Sequence, residues 1–289
     1  MTAYSVEPNP AVTFKVRYRD DDLLVVDKRA GLPTQPGLGH ERDTLLNGLF
    51  AIEGDRLQNL GRARDFGLLH RLDRETSGLL VVALSTRAYD ALRSAFEGRQ
   101  VRKFYWAVCA KAPRDASGVI NLPLVETGGR DGGSRARAGD AGRAGSRRGR
   151  AEVGGPKLSR VSRAPGAKAA ATAYRVLQVS PLGALIEARP LTGRLHQVRV
   201  HLDAVGATIL GDDFYGPRSL AKASPRLALH AHRIAFRHPV TGADLNIRSP
   251  WPADLRALLR RLKLQRPDIA GPAEGEDTDP SPVQPGESD

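Results

Sequence analysis

Cysteine is nearly absent from this 289-residue chain. Cys109 is its only one, so neither an intramolecular disulfide nor a cysteine-based zinc site can form. It lies in the apolar segment 105–110 and reads as a core residue rather than a reactive thiol. Long apolar runs are missing as well: nothing approaches the ~18 consecutive apolar residues of a membrane span. Residues 1–10 lack the cationic-then-apolar pattern of a signal peptide. No membrane association is expected, and a cytoplasmic location is. His196 and His201 are five positions apart and do not share a helical face, which argues against a metal site. Acidic residues are in deficit, 32 against 44 Lys and Arg, giving a formal charge of +12 and a pI of about 10.3. That balance fits a polyanionic partner, although a compositional bias toward arginine would give the same number.

What is present describes a soluble globular protein, 40% hydrophobic and 26% charged, long enough for one large or two small domains. Residues 1–14 read as a flexible leader and 15–265 as the folded part. Within it, 128–170 holds eleven glycines and eleven Lys or Arg against three acidic residues, and so supplies +8 of the net charge. Such a stretch cannot bury enough apolar area to offset its ordering entropy and is expected to be disordered. It reads either as a non-specific RNA-gripping arm or as a tolerated surface insertion. Residues 266–289 carry seven Asp or Glu and one Arg among prolines, a disordered acidic tail.

The periodicity predicts a short strand over Leu23–Val26, a short helix over 44–50, a loop over 60–67 and a buried strand over Leu79–Leu84. A helix follows, capped by Ser85 and ended by Gly98, and then a strand over 101–110. A further strand is expected within 118–124. A hairpin is expected over 171–180 and 184–189, a helix ending at Gly206, and a final amphipathic helix from near Pro252.

The chain is organised around residues 69–84. Their first half crowds His70, Arg71, Asp73, Arg74 and Glu75 into six residues, and their second half is the continuous apolar run of a strand buried on both faces. Thr76-Ser77-Gly78 supplies the turn between them. One reading is a salt-bridged loop end. The other is chemical: Asp73 lies between Arg71 and Arg74, cations that favour an ionised carboxylate, and a positioned carboxylate can act as a nucleophile at carbon. Further along, Arg199 sits one turn beyond Leu195 at the edge of an apolar stripe. An arginine at the edge of a core needs a carboxylate or phosphate partner.

The segment His-Arg-Leu-Asp-Arg-Glu-Thr-Ser-Gly-Leu-Leu-Val closely resembles the catalytic signature of the RluA-type pseudouridine synthases, and the likeness runs from about Val16 to Leu262. Lys28-Arg29-Ala30-Gly31-Leu32 resembles the family's Lys-Pro-Ala-Gly-Leu element, with Arg29 where proline is usual. Lys103-Phe104-Tyr105 matches Lys-x-Tyr. Residues 192–201 match Thr-Gly-Arg-x-His-Gln-(Ile/Val)-Arg-x-His, and 211–216 match Gly-Asp-x-x-Tyr-Gly, which reads as framework.

The resemblance implies an α+β fold: a mixed, largely antiparallel sheet with surrounding helices, forming one catalytic domain around a basic cleft. It implies isomerisation of uridines in structured RNA, ribosomal or transfer, by a monomer that needs no cofactor and no metal. Asp73 is then the nucleophile, whether it attacks C1′ or the base or assists formation of a glycal, Tyr105 stacks on the uracil, and Arg199 pairs with Asp73. His70, Arg71, Arg74, Lys103, Arg194 and His196 are candidate RNA contacts, with Arg71 able to fill the space left by a flipped base. Two rivals remain: a non-catalytic RNA-binding or ribosome-assembly factor on the same fold, and a hydrolytic glycosidase using Asp73 and Glu75 as its carboxylate pair. The second requires one neutral acid ~5–9 Å from the other, and nothing beside Glu75 keeps it neutral.

Overall fold

The structure, a computed structural model, describes residues 4–127 and 157–267. Antiparallel strands β1 (Lys15–Arg19) and β2 (Leu23–Lys28) lead into helix α1 (Leu45–Leu60), and β3 (Ser77–Ala83) pairs with β2. After α2 (Thr86–Glu97) come β4 (Arg102–Cys109), β5 (Ser117–Asn121), and the small β6 (Leu124–Thr127) and β7 (Leu158–Val161) pair. The hairpin of β8 (Ala171–Ser180) and β9 (Gly183–Pro190) feeds α3 (Gln197–Ala204) and the short α4 (Arg218–Ala221). The strands β10 (Leu229–Arg237) and β11 (Asp244–Arg248) and helix α5 (Arg256–Arg261) complete the chain. No helix among the described residues is long and apolar enough to cross a membrane.

Nine strands form one sheet, ordered β1-β2-β3-β10-β4-β9-β8-β5 with β11 beside β10. Every pairing in it is antiparallel except β3 with β10. This is the α+β arrangement expected. The parallel splice is short, His230 against Ser77 and Ala231 against Gly78, and it falls where the charged loop 69–75 enters β3. Gly78 is required there. Its φ is +119°, and a Cβ at that position would meet the Ala231 backbone.

The apolar run in β3 is buried throughout, with α1 on one face and α2 on the other. Leu80 and Val82 join Leu24, Leu49 and Phe50 in one core cluster, while Leu79 and Val81 join Ala88, Tyr89 and Leu92 in a second. Each such side chain contributes roughly 1.5–3 kcal/mol on burial. A loop attached to so fixed a strand is held at its base.

Three sequence expectations change. The leader is not loose, because Val12 is buried, Tyr4, Val6 and Phe14 pack against the core, and Asn47 Nδ2 donates to the Glu7 carbonyl. The helix expected over 44–50 continues to Leu60. Thr44 and Asn47 close a capping box, the helix kinks at Glu53 (φ −134°, ψ 25°), and the Tyr4 ring packs beside Gly54. The expected disorder of 128–170 is too long at its C-terminal end. Residues 157–170 include β7, with Ser159 and Ala170 buried, because Leu124, Ala170 and Val200 share a small core. The rest of that segment, 128–156, and the tail from 268 lie outside the described residues.

Candidate active site

The loop 69–75 is tied down from below. Thr34 Oγ1 donates to the Leu72 carbonyl at 2.9 Å and Gly31 N–H to the Arg74 carbonyl at 2.8 Å. Lys28, fully buried, spends its ammonium on the carbonyls of Arg29, Leu32 and Arg74 at 3.1, 2.8 and 3.1 Å. Burial brings its pKa down to about 7, with the Asp73 and Glu75 charges opposing. Lys28 thereby ties the 28–32 turn to the backbone of the motif loop. The Lys-x-Ala-Gly-Leu element is a clamp on the Asp73 loop.

Above this base Asp73 faces a cleft of about 1190 Å³. Its carboxylate is about a quarter exposed, with Oδ2 3.3 Å from Arg199 Nη1 and Oδ1 3.8 Å from His196 Nε2. Arg199 comes from α3 and is 4% exposed. Its stronger partner is Asp212: Nε and Nη2 fork onto the two Asp212 oxygens at 2.8 and 2.7 Å. Asp212 also receives the backbone N–H groups of Phe214 and Tyr215, both at 3.0 Å. Burial works against the Arg199 charge, but the Asp212 fork outweighs it and raises the pKa. The Arg199 guanidinium also lies over the rings of Phe214 and Tyr215, 5.2 Å from each centroid.

Tyr105 lines the same cleft, almost fully buried on β4. Burial first, then the Asp73 charge, pushes its pKa up, so the hydroxyl is protonated at neutral pH. Asp73 and Tyr105 thus reach one cleft although β10 separates their strands.

Of the nine residues the sequence singles out, eight line the cleft: His70, Arg71, Asp73, Lys103, Tyr105, Arg194, His196 and Arg199. Arg74 does not. Its Nε donates to Glu75 at 2.8 Å, and its Nη1 sits 3.4 Å from His40. The same pair removes Glu75 as a second catalytic carboxylate. His70 lines the wall but has its Nε2 occupied by the Val81 N–H at 3.1 Å, with its pKa down to about 3 from burial. A neutral ring committed to β3 is scaffold rather than a partner for phosphate. Lys103 keeps a half-buried ammonium 5.5 Å from the Phe96 ring centroid, with burial lowering its pKa to about 8. Arg71 is exposed at the mouth. Arg194 is held by the Ala169 carbonyl at 3.2 Å. His201 is wholly buried between Thr172 Oγ1 and the Leu122 carbonyl, each 2.9 Å away.

Sequence reasoning misses Asp212. The signal exists, since a core-edge arginine demands a carboxylate and the 211–216 loop offers one, but Asp73 already meets that demand on sequence grounds.

A family model described as RNA pseudouridylate synthase matches residues 22–204. An uncharacterised RNA pseudouridine synthase of Synechocystis is 32% identical over 257 residues, covering 89% of this chain and 71% of its own length. A ribosomal large subunit pseudouridine synthase D of Zymomonas mobilis is 32% identical over 270 residues, covering 89% and 77%. Among solved structures, the human RNA pseudouridylate synthase domain containing 4 superposes with a TM-score of 0.62 at 27% identity, covering 88% of this chain and 94% of its own. With an anchored aspartate in a basic cleft and relatives of this kind along nearly its whole length, the chain belongs to the RNA pseudouridylate synthase family and is an RNA-modifying isomerase.

Proposed function

We propose that the chain isomerises selected uridines of large-subunit ribosomal RNA to pseudouridine, with Asp73 as the nucleophile. The observation that carries this reading is the placement of Asp73: a carboxylate facing a cleft, its Oδ2 toward a buried arginine that is itself locked by a second aspartate. The reaction breaks the C1′–N1 bond, turns the uracil, joins C1′ to C5 and returns the displaced C5 proton to solvent while N1 gains one. Atoms balance without an external reactant.

Asp73 attacks C1′ as the C1′–N1 electron pair leaves with the uracil, and the carboxylate leaves again when C5 of the turned base attacks C1′. Arg199 holds one Asp73 oxygen in place, and Tyr105 stacks on the base. A stacked uridine must leave its helix to reach these groups, at a cost of a few kcal/mol. Arg71, exposed at the cleft mouth, fills the vacated position. Lys103 and Arg194 meet phosphates, which fix register without reading sequence. The ribosomal target follows the name carried by the relative from Zymomonas mobilis. The protein acts in the cytoplasm as a monomer.

Tritium release from RNA carrying 5-tritiated uridine measures turnover. Mapping of pseudouridine in cells lacking the protein, by an adduct that stops reverse transcriptase, identifies the site. The expected result is a lost stop in large-subunit RNA. A lost stop confined to transfer RNA would overturn the target, and no tritium release from either RNA would overturn the activity.

A further inference from the structure

The two oxygens of Asp73 keep different company. Oδ2 meets a guanidinium that cannot lose its proton, whereas Oδ1 faces the Nε2 of His196 at 3.8 Å, a little beyond hydrogen-bond length. His196 is one-tenth exposed and tightly specified. Its backbone is left-handed (φ 52°, ψ 20°), a conformation that a non-glycine residue keeps only where the surroundings impose it. Its ring stacks on Phe214, with centroids 5.8 Å apart and planes 12° from parallel.

The other ring nitrogen, Nδ1, is 2.9 Å from the hydroxyl of Tyr215, and that oxygen accepts the backbone N–H of Ser159 at 3.0 Å. Proton directions follow. An amide N–H can only donate, so the Tyr215 oxygen is its acceptor. Among the described residues the Tyr215 proton then has one acceptor in reach, His196 Nδ1. A proton on Nδ1 would leave the hydroxyl without an acceptor and would turn the Nε2 lone pair toward a carboxylate. Both costs vanish when Nδ1 is bare and Nε2 carries the hydrogen.

We propose that His196 is a positioning residue for the reaction: held as the neutral Nε2–H tautomer by the chain Ser159 N–H to Tyr215 O–H to His196 Nδ1, it presents its proton to Asp73 Oδ1 and fixes that oxygen for attack on the ribose. The proposal rests on Asp73 being the reacting carboxylate. Hydrogen bonds of this kind are often long in an unliganded site and tighten in the complex. Because Ser159 belongs to β7, the chain also ties the β6–β7 hairpin to the catalytic carboxylate.

Charged and titratable groups face the ring from each neighbouring element: Asp73 and Arg71 from the motif loop, Arg199 from α3, Asp212 and Tyr215 from the 211–216 loop. Burial lowers the His196 pKa, with the Asp73 charge opposing, and burial raises that of Tyr215 to about 12. The donor and acceptor states needed at neutral pH are thus the ones the surroundings favour.

The test has two independent arms on the full chain. Nitrogen-15 NMR of the histidine rings, with His196 assigned by its absence in His196→Gln, reads the tautomer without turnover. Bare Nδ1 in the wild type, shifting in Tyr215→Phe, is expected. A proton on Nδ1 at neutral pH overturns the proposal. In the second arm, Tyr215→Phe and His196→Ala should lower kcat roughly ten- to a hundredfold with KM for RNA unchanged. His196→Gln, whose amide N–H reaches the Nε2 position, should recover most of that loss. A loss in KM alone, or no rescue by glutamine in a variant that unfolds like wild type, overturns it. A wild-type chain that releases no tritium refutes the proposed function, and the tautomer then stands or falls by NMR alone.

Discussion

Arg199 binds two carboxylates, and the distances rank them. Asp212 takes a fork at 2.8 and 2.7 Å with both partners buried, and Asp73 takes one longer bond at 3.3 Å. Removing one member of a buried pair strands the other and costs roughly 3–5 kcal/mol. Asp212→Ala should therefore lose stability on that scale, measured by urea unfolding, and lose turnover as well, because Arg199 would swing from its anchor. Asp73→Asn should behave oppositely. The amide keeps the shape, so stability and RNA affinity change little, but the nucleophile is gone. More than about a hundredth of wild-type tritium release in Asp73→Asn would exclude Asp73 as the nucleophile. A double-mutant cycle should give a larger coupling for Arg199 with Asp212 than with Asp73. Equal couplings would show that the ranking by distance is misleading.

At the scale of elements, local pattern is legible in the sequence and long-range pairing is not. The run Leu79–Leu84 announces a strand buried on both faces, and Ser85 and Gly98 mark the ends of α2, because these signals are written in adjacent residues. The motif residues of the site are legible through their resemblance to a family. The full extent of α1 past its Glu53 kink is not, since Tyr4, fifty residues away, packs there, and neither is the main partner of Arg199. The parallel pairing of β3 with β10 joins positions 153 apart, and nothing local encodes it.

That pairing carries a pH-dependent element. Ser77 Oγ lies 2.9 Å from His230 Nδ1, and burial takes the His230 pKa from 6.5 to about 3. The folded value is the depressed one, so the unfolded chain binds the extra proton. The stability is present above about pH 6.5 and is lost as pH falls toward 3. Each pH unit in that window is worth at most about 1.4 kcal/mol from this residue. Urea unfolding at pH 7 and pH 5 should show a steeper loss for wild type than for His230→Asn. Equal losses would mean that His230 is not held neutral.

The whole molecule is a strongly basic particle with its charge unevenly placed along the chain. Residues 128–156 hold seven arginines against three acids, interspersed with glycine, in the sequence between β6 and β7. Cations of this kind meet phosphates and carry no means of reading bases, whereas the cleft selects its uridine by the flipped base and the surrounding RNA shape. Replacing 130–155 with a short Gly-Ser linker should therefore weaken RNA binding, most at low salt. The plot of log affinity against log salt should flatten by about 0.7–0.9 for each phosphate that the shortened chain no longer neutralises. Turnover at saturating RNA and the identity of the modified uridine should both persist, because Asp73, Tyr105, His196 and Arg199 remain. The β6–β7 pair with its Ser159 bond to Tyr215 is also left in place. Binding titrations at several salt concentrations, with modification mapping alongside, separate the outcomes. An unchanged slope would make the segment a passive insertion, and a changed target would mean that it reads RNA structure itself. A lower slope with the same uridine modified is the result that the division between grip and recognition requires.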